Sequence, residues 1–405
     1  MMKKLISASL AAAMALSLAA CGSTGTEASS AAESTTASSA ATAEGSAAPI
    51  KLGGIGPTTG GNAAYGIAVQ QGAELAVQEI NEAAGYTVFE MQFEDDESDP
   101  ETALNAYNTL KDWGMQILVG TVTSNPSLTV GAEAANDNMF MLTPSASAEE
   151  VATTGDNIFQ MCFTDPNQGK AAADYIAEHQ LGTQIGIIYD SSDAYSSGIY
   201  QAFVAEAEAN GLTIVAQPSF TADNKSDLST QVAQCQDAGA DLVFLPIYYQ
   251  EASQVLVAAN RTGYAPTFFG CDGMDGILGV EGFDTTLANG LMMLCPFSAY
   301  GEDETTVTFV NNYKAAFNDE VPNQFAADAY DCVYAIYQCV EDGTITPDMS
   351  VSDMCEALKG AFTSMTFSGT TGEGQTWDEN GMISKEPKVY TIQDGAYVLA
   401  EGETA

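Results

Sequence analysis

Apolar residues in this chain fall into short runs. Each run ends in glycine or small polar residues, and most are followed by a stretch with its apolar positions on one side. The runs at 51–55, 88–93, 117–120 and 140–143 are four to six residues long and bounded by turn residues, which predicts strands buried on both faces. Between them, 66–84 places Ala68, Ala73, Leu75, Ala76 and Ile80 at helical spacing. Asp99-Pro100 is a helix start with a run to Trp113. Pro126, preceded by Ser124 and Asn125 as cap candidates, opens a third helix to about Asn136. Strands alternating with helices predict a parallel sheet covered by helices. A strand at 157–163 leads out of this unit.

A second series follows. Its predicted strands are 185–189, 213–216, 242–246 and 267–270, and its helices lie near 168–179, 197–210, 226–239 and 251–263. Residues 292–297 form another extended run, after which helical patterns return at 305–317 and 326–340. The Asp394-Gly395 turn between 389–392 and 397–399 predicts a terminal hairpin. The fold class is therefore α/β, with two doubly wound parallel-sheet lobes crossed by the chain more than once.

The start of the chain differs from the rest. Lys3 and Lys4 precede an apolar run from Leu5 to Ala20, too short to span a bilayer comfortably, so 1–20 reads as a targeting segment. Residues 21–49 are almost all Ser, Thr, Ala, Gly and Glu, a composition that cannot bury a core and predicts a flexible tether. The formal net charge of -43 argues against a nucleic-acid partner, whose phosphates would be repelled. Seven cysteines follow Cys21, an odd number without a C-x-x-C, and they read as small core residues.

The usual catalytic constellations are missing. Gly54-Ile55-Gly56-Pro57-Thr58-Thr59 lacks the third glycine of a dinucleotide loop, and Gly169-Lys170 is followed by Ala171, which fails as a phosphate loop. One histidine, His179, cannot build a zinc cluster and is the sole candidate for a triad. There is no G-x-S-x-G elbow. The acidic loops at 95–99 and 190–193 lack calcium-loop spacing. No cofactor, no metal and no enzymatic activity are expected.

What the pattern offers instead is a binding site. Ser124 follows one strand and Ser147 follows its neighbour, so a parallel sheet aims both at one crevice, beside a helix start that favours a carboxylate. In the second series Tyr195, Tyr248 and Asp272 stand just past three strand ends. Hydroxyls and helix N–H groups on one side and a carboxylate on the other suit an α-amino acid, whose two charges must both be paired when buried.

Several stretches together resemble the solute-binding proteins of bacterial branched-chain amino acid importers, the leucine/isoleucine/valine type with the type I periplasmic-binding fold. They are Gly56-Pro57-Thr58-Thr59-Gly60 with Tyr65, Asp95-Asp96 with Asp99-Pro100, Val119-Gly120 leading to Ser124, and Thr143-Pro144-Ser145-Ala146-Ser147. Asp190 with Tyr195 and Gly198, and Phe269-Gly270 leading to Asp272, complete the set. Leu18-Ala19-Ala20-Cys21 is similar to a bacterial lipobox, which implies that Cys21 is the lipidated first residue of the mature chain.

The resemblance covers 51–399 and implies roles by position. Ser124 would bond the ligand carboxylate, Ala146 would give a backbone contact, and Ser147 replaces the usual threonine. Asp272 stands where the leucine-type protein has a glutamate for the ammonium. Tyr195 and Tyr248 would close over the ligand, while Tyr65, Val122 and Phe325 would line its side-chain pocket. Thr123 replaces a disulfide cysteine of the leucine-type protein, so that bridge is absent.

The implied organisation is lobe 1 at 50–165 plus 297–368, lobe 2 at 166–296 plus 369–405, and a three-segment hinge. The implied function is capture of an α-amino acid, branched-chain by default, and delivery to permease subunits of an ABC importer. The protein would work as a lipid-anchored monomer outside the bacterial cell membrane. A sensory module for amino acids or related carboxylates, acting with a separate signalling partner, is the alternative.

Overall fold

The computed structural model describes residues 48–385 and 387–400; the targeting segment, Cys21 and the tether up to residue 47 lie outside the described residues. The first unit alternates strands and helices: β1 (Ile50–Gly56), α1 (Ala63–Ala84), β2 (Phe89–Asp95), α2 (Pro100–Trp113), β3 (Ile117–Gly120), α3 (Ser124–Asp137), β4 (Met141–Thr143) and β5 (Ile158–Gln160). Its sheet runs β2-β1-β3-β4-β5, parallel throughout. Ile55 pairs with Gly120, so β1 and β3 end side by side at the point where strand order reverses.

The second unit contains α4 (Asp165–Glu178), β6 (Gln184–Ile187), α5 (Ala194–Ala209), β7 (Thr213–Ala216), α6 (Ser229–Asp237), β8 (Leu242–Leu245), α7 (Tyr249–Thr262), β9 (Thr267–Gly270) and β10 (Met292–Cys295). The chain then makes α8 (Glu304–Ala316), α9 (Gln324–Glu341) and α10 (Val351–Phe362), and returns as the hairpin β11 (Lys388–Gln393) and β12 (Ala396–Leu399). The second sheet runs β12-β11-β10-β9-β8-β6-β7; the hairpin and its pairing with β10 are antiparallel and the other pairings are parallel. The chain thus serves the first sheet, the second, the first again and the second again.

Helix α9 covers the first sheet, packing on α1 and contacting β3 and β4. The close approach depends on Gly72, where an added Cβ would sit 2.0 Å from the backbone oxygen of Ala326. Gly72→Ala should therefore cost about 1–3 kcal/mol through overpacking. Gly360, inside α10, has open space where a Cβ would go. Gly360→Ala should gain up to about 1 kcal/mol from helix propensity. Urea denaturation of both variants checks the pair; equal effects would refute the packing account.

Local differences from the expected elements have simple causes. Helix α3 begins at Ser124 with Thr123 in the cap position, two residues before Pro126. Proline fits there because first-turn N–H groups lack intrahelical partners. Helix α5 begins at Ala194, so Tyr195 sits in its first turn and not in a loop. Helix α10 had no predicted counterpart, although Ser350 caps it through the Asp353 N–H and Met354, Leu358 and Phe362 are buried at spacing four. His179 ends α4 stacked on Tyr175, ring centroids 3.9 Å apart. All seven described cysteines are free and buried.

Candidate functional site

The turn after β3 and the turn after β4 are stitched to each other. Thr143 donates its hydroxyl to Thr121 O at 2.6 Å, and Ser145 donates to Val122 O at 2.6 Å. Ser124 accepts the Ala148 N–H at 3.3 Å. No side chain caps α3, and the Thr123 hydroxyl has no hydrogen-bond partner. The first N–H groups of α3 are thus left for something else, at the positive end of the helix dipole.

Facing them, the second unit presents a buried acid held by aromatic residues. Tyr195 donates its hydroxyl to Asp272 Oδ1 at 2.8 Å and accepts the Gly273 N–H at 2.9 Å. The Asp272 N–H goes to Gln168 Oε1 at 3.1 Å, and Gln324 Nε2 donates to Asp272 O at 3.1 Å. Tyr195 and Tyr248 stack with centroids 4.8 Å apart. Tyr65, from α1, donates to Gly273 O at 2.6 Å and meets Phe325 edge-on at 4.8 Å.

These groups enclose one small cavity. Val122, Ser124 and Phe325 form one side, and Tyr195, Tyr248 and Asp272 the other. Thr123, Ser145 and Gly273 complete the wall. Its volume is about 20 Å³, room for about one water. Three of the expected residues sit off the wall. Ala146 is buried in the first unit's own apolar core, because the turn points Ser145 inward instead. Ser147 lies deeper, its backbone oxygen taking the Asp165 N–H at 2.9 Å. Tyr65 stands behind Phe325 and Gly273.

The residues that sequence reading missed are Thr123, Ser145, Gly273, Gln168 and Asp165. Asp165 is fully buried at the first position of α4, and neither carboxylate oxygen makes a hydrogen bond of good geometry. Burial pushes its pKa well up; the nearby Ser147 hydroxyl opposes this and the Asp272 charge adds to it. Asp-Pro at a helix start reads as a solvent-exposed cap, which hides this acid.

Burial raises several acids here. Asp272 is pushed up to about 7 by burial, against hydrogen bonds from Tyr195 and Gln168. Asp96 is also raised to about 7, and Asp275 and Asp328 to about 6, in each case chiefly by burial. Between the unfolded value near 4 and these values, the folded state binds more protons than the unfolded one. Stability should therefore fall as pH rises from about 5 to 8. Below about 4 the sign reverses, because Asp95, Asp241 and Asp303 are held low by hydrogen bonds from neighbouring backbone and threonine groups. Calorimetric melting of ligand-free protein at pH 3.5, 5 and 8 should give its highest midpoint at pH 5; a midpoint rising toward pH 8 would refute this.

The profile of the family described as periplasmic binding protein matches residues 49–396. This chain belongs to that family. A Leu/Ile/Val-binding protein of Rhizobium johnstonii, BraC3, is 28% identical over 87% of this chain and 94% of its own length. Leu/Ile/Val-binding protein homolog 3 of Brucella melitensis is 31% identical over 56% of this chain and 62% of its own. The branched-chain amino acid transporter substrate-binding protein LivJ of Streptococcus pneumoniae was solved with isoleucine. It superposes with a TM-score of 0.78 and 26% identity, covering 86% of this chain and 98% of LivJ. The family's type I fold has two lobes with parallel-strand sheets, as the two units here do. Its members are extracytoplasmic solute-binding proteins.

Proposed function

We propose that this periplasmic binding protein captures an α-amino acid between its lobes and hands it to the permease of an ABC importer, without catalysis. The observation that carries this is Asp272, a buried carboxylate facing Ser124 and the start of α3 across one cavity. An ammonium pairs with the first, and a carboxylate takes the hydroxyl and the N–H groups of the second. The relatives' printed ligands make leucine, isoleucine and valine the first compounds to try. The mature chain would begin at lipidated Cys21, anchored to the outer face of the cell membrane and working as a monomer. Among the described residues no helix is long and apolar enough to cross a membrane.

A cavity of about 20 Å³ does not hold an amino acid, so ligand enters a more open arrangement and the lobes close on it. The segments that would bend are 163–165, 295–297 and 367–369, dividing lobe 1 (50–165 plus 297–368) from lobe 2 (166–296 plus 369–405). Titration calorimetry of the purified protein with the common amino acids tests the reading. Binding at micromolar Kd or tighter is expected; no heat and no thermal shift with any of them would overturn it.

A further inference from the structure

Beside the small cavity lies a larger one, about 300 Å³, also walled by both lobes. Thr123 and Tyr248 line both, so the two spaces are neighbours across those two side chains. The leucine-type disulfide that would stand at Thr123 is absent here, and Thr123 is a short residue with an unpartnered hydroxyl.

Three residues lining the larger cavity carry oxygens short of donors. Asn62 Oδ1 has no partner, because its amide nitrogen is turned to Ser98 at 3.0 Å. Glu251 is 4% exposed, and its Oε2 has no partner, while the other oxygen pairs with Lys225 at 2.9 Å. Asp193 Oδ2 is buried without a hydrogen bond of good geometry, although the Tyr248 hydroxyl is close. Glu97 and Asp190 add two more carboxylates to the lining, against the single ammonium of Lys225. Native structures rarely leave buried acceptors unpaired. Asn62 and Glu251 are more than nine-tenths buried, and together with half-buried Asp193 they line one space, which marks a place suited to a donor-rich group.

We propose that this cavity receives the cationic end of the ligand's side chain, so that the preferred substrate is an α-amino acid carrying a distal ammonium or guanidinium. The proposal rests on the reading of the small cavity as the head-group site and changes the side chain it serves. A primary ammonium brings three donors and a guanidinium five, which matches acceptors on Asn62, Glu251 and Asp193. An isobutyl or sec-butyl side chain would leave those acceptors unpaired, and a site with unpaired polar groups discriminates strongly against such a ligand. Among the described residues no group of three or more His, Cys, Asp or Glu has metal-binding geometry, which favours an organic cation over a metal ion. Lys225 lines the same cavity and neutralises one Glu251 oxygen, with its side chain 43% exposed, which leaves the second Glu251 oxygen and Asp193 for the ligand's cation.

The test compares near-isosteric ligands on the purified protein by calorimetry. L-lysine should bind at least tenfold tighter than L-norleucine, and L-arginine at least tenfold tighter than L-citrulline. Glu251→Gln should bring the lysine-to-norleucine ratio close to one; Asp193→Asn serves if that variant does not fold. Equal affinity for lysine and norleucine, or a ratio that neither variant moves, overturns the proposal and leaves the head-group reading standing. A further arm uses 1,5-diaminopentane, which has no carboxylate. If no α-amino acid binds, the head-group reading fails. In that case diamine binding weakened by Glu251→Gln supports the cation site, and no diamine binding removes it.

Discussion

Asp272→Asn is expected to weaken binding of any α-amino acid by about 2–5 kcal/mol, roughly 30- to 5000-fold in Kd. The carboxylate is 4% exposed and its Oδ1 is already fixed by the Tyr195 hydroxyl. Asparagine keeps that acceptor and the shape but removes the charge, so an ammonium buried against it loses its counter-ion. Stability should move the other way. Burial raises this acid to about 7, which means that at neutral pH the ionised form is costly to the ligand-free fold. The variant should therefore melt no lower than the parent at pH 8. Affinity falling while the melting midpoint holds separates a binding role from a structural one. Calorimetry and thermal denaturation on the same preparation measure both. An unchanged Kd would remove Asp272 from the ligand's ammonium.

The part of this site that can be read from sequence is the part that follows from strand order. A parallel sheet with hydroxyl-rich turns after two adjacent strands must bring Ser124 near the next turn, and the Ala148 N–H on Ser124 Oγ records that meeting. Tyr195, Tyr248 and Asp272 follow from the same rule in the second sheet. The failures are at the scale of one residue. Which of Ser145, Ala146 and Ser147 points inward depends on the turn's dihedral angles, and three small residues in a row carry no pattern to decide it. Asp165 and Gln168 start a helix with Asp-Pro, which on most surfaces is a solvated cap. Their burial depends on the second unit folding over that helix start, a long-range fact. Helix α10 was legible: the Ser350 cap and the spacing of Met354, Leu358 and Phe362 are local signals.

Long-range placement also explains the larger cavity. Asn62 and Glu97 come from loops around the first sheet, Asp193 and Glu251 from helix starts around the second. Nothing in their spacing announces that they face one space. Read singly, each is a solvated turn or cap residue, and the acidic loops at 95–99 and 190–193 do look like that. Only the folded arrangement brings these side chains around one space.

The other large effect is expected at Lys385. Its ammonium forms an ion pair with Asp328 on α9 and donates to Thr371 Oγ1 at 2.8 Å, with the two charged side chains 1% and 2% exposed. Next to them Asp331 accepts the N–H groups of Thr370 and Thr371, each at 2.8 Å. This ties the chain's last passage between the sheets to the helix that covers the first. Lys385→Ala leaves Asp328 buried without its cation and should cost about 3–5 kcal/mol in urea denaturation at pH 8. The loss should be smaller at pH 5, because Asp328 is already pushed up to about 6 by burial and can take a proton there. The double variant Lys385→Met with Asp328→Leu removes both charges and should recover most of the stability, since a buried pair gains little net over apolar side chains of similar size. A single variant as stable as the double would mean that the pair is not buried in solution, and that this last passage is held by the Asp331 contacts alone.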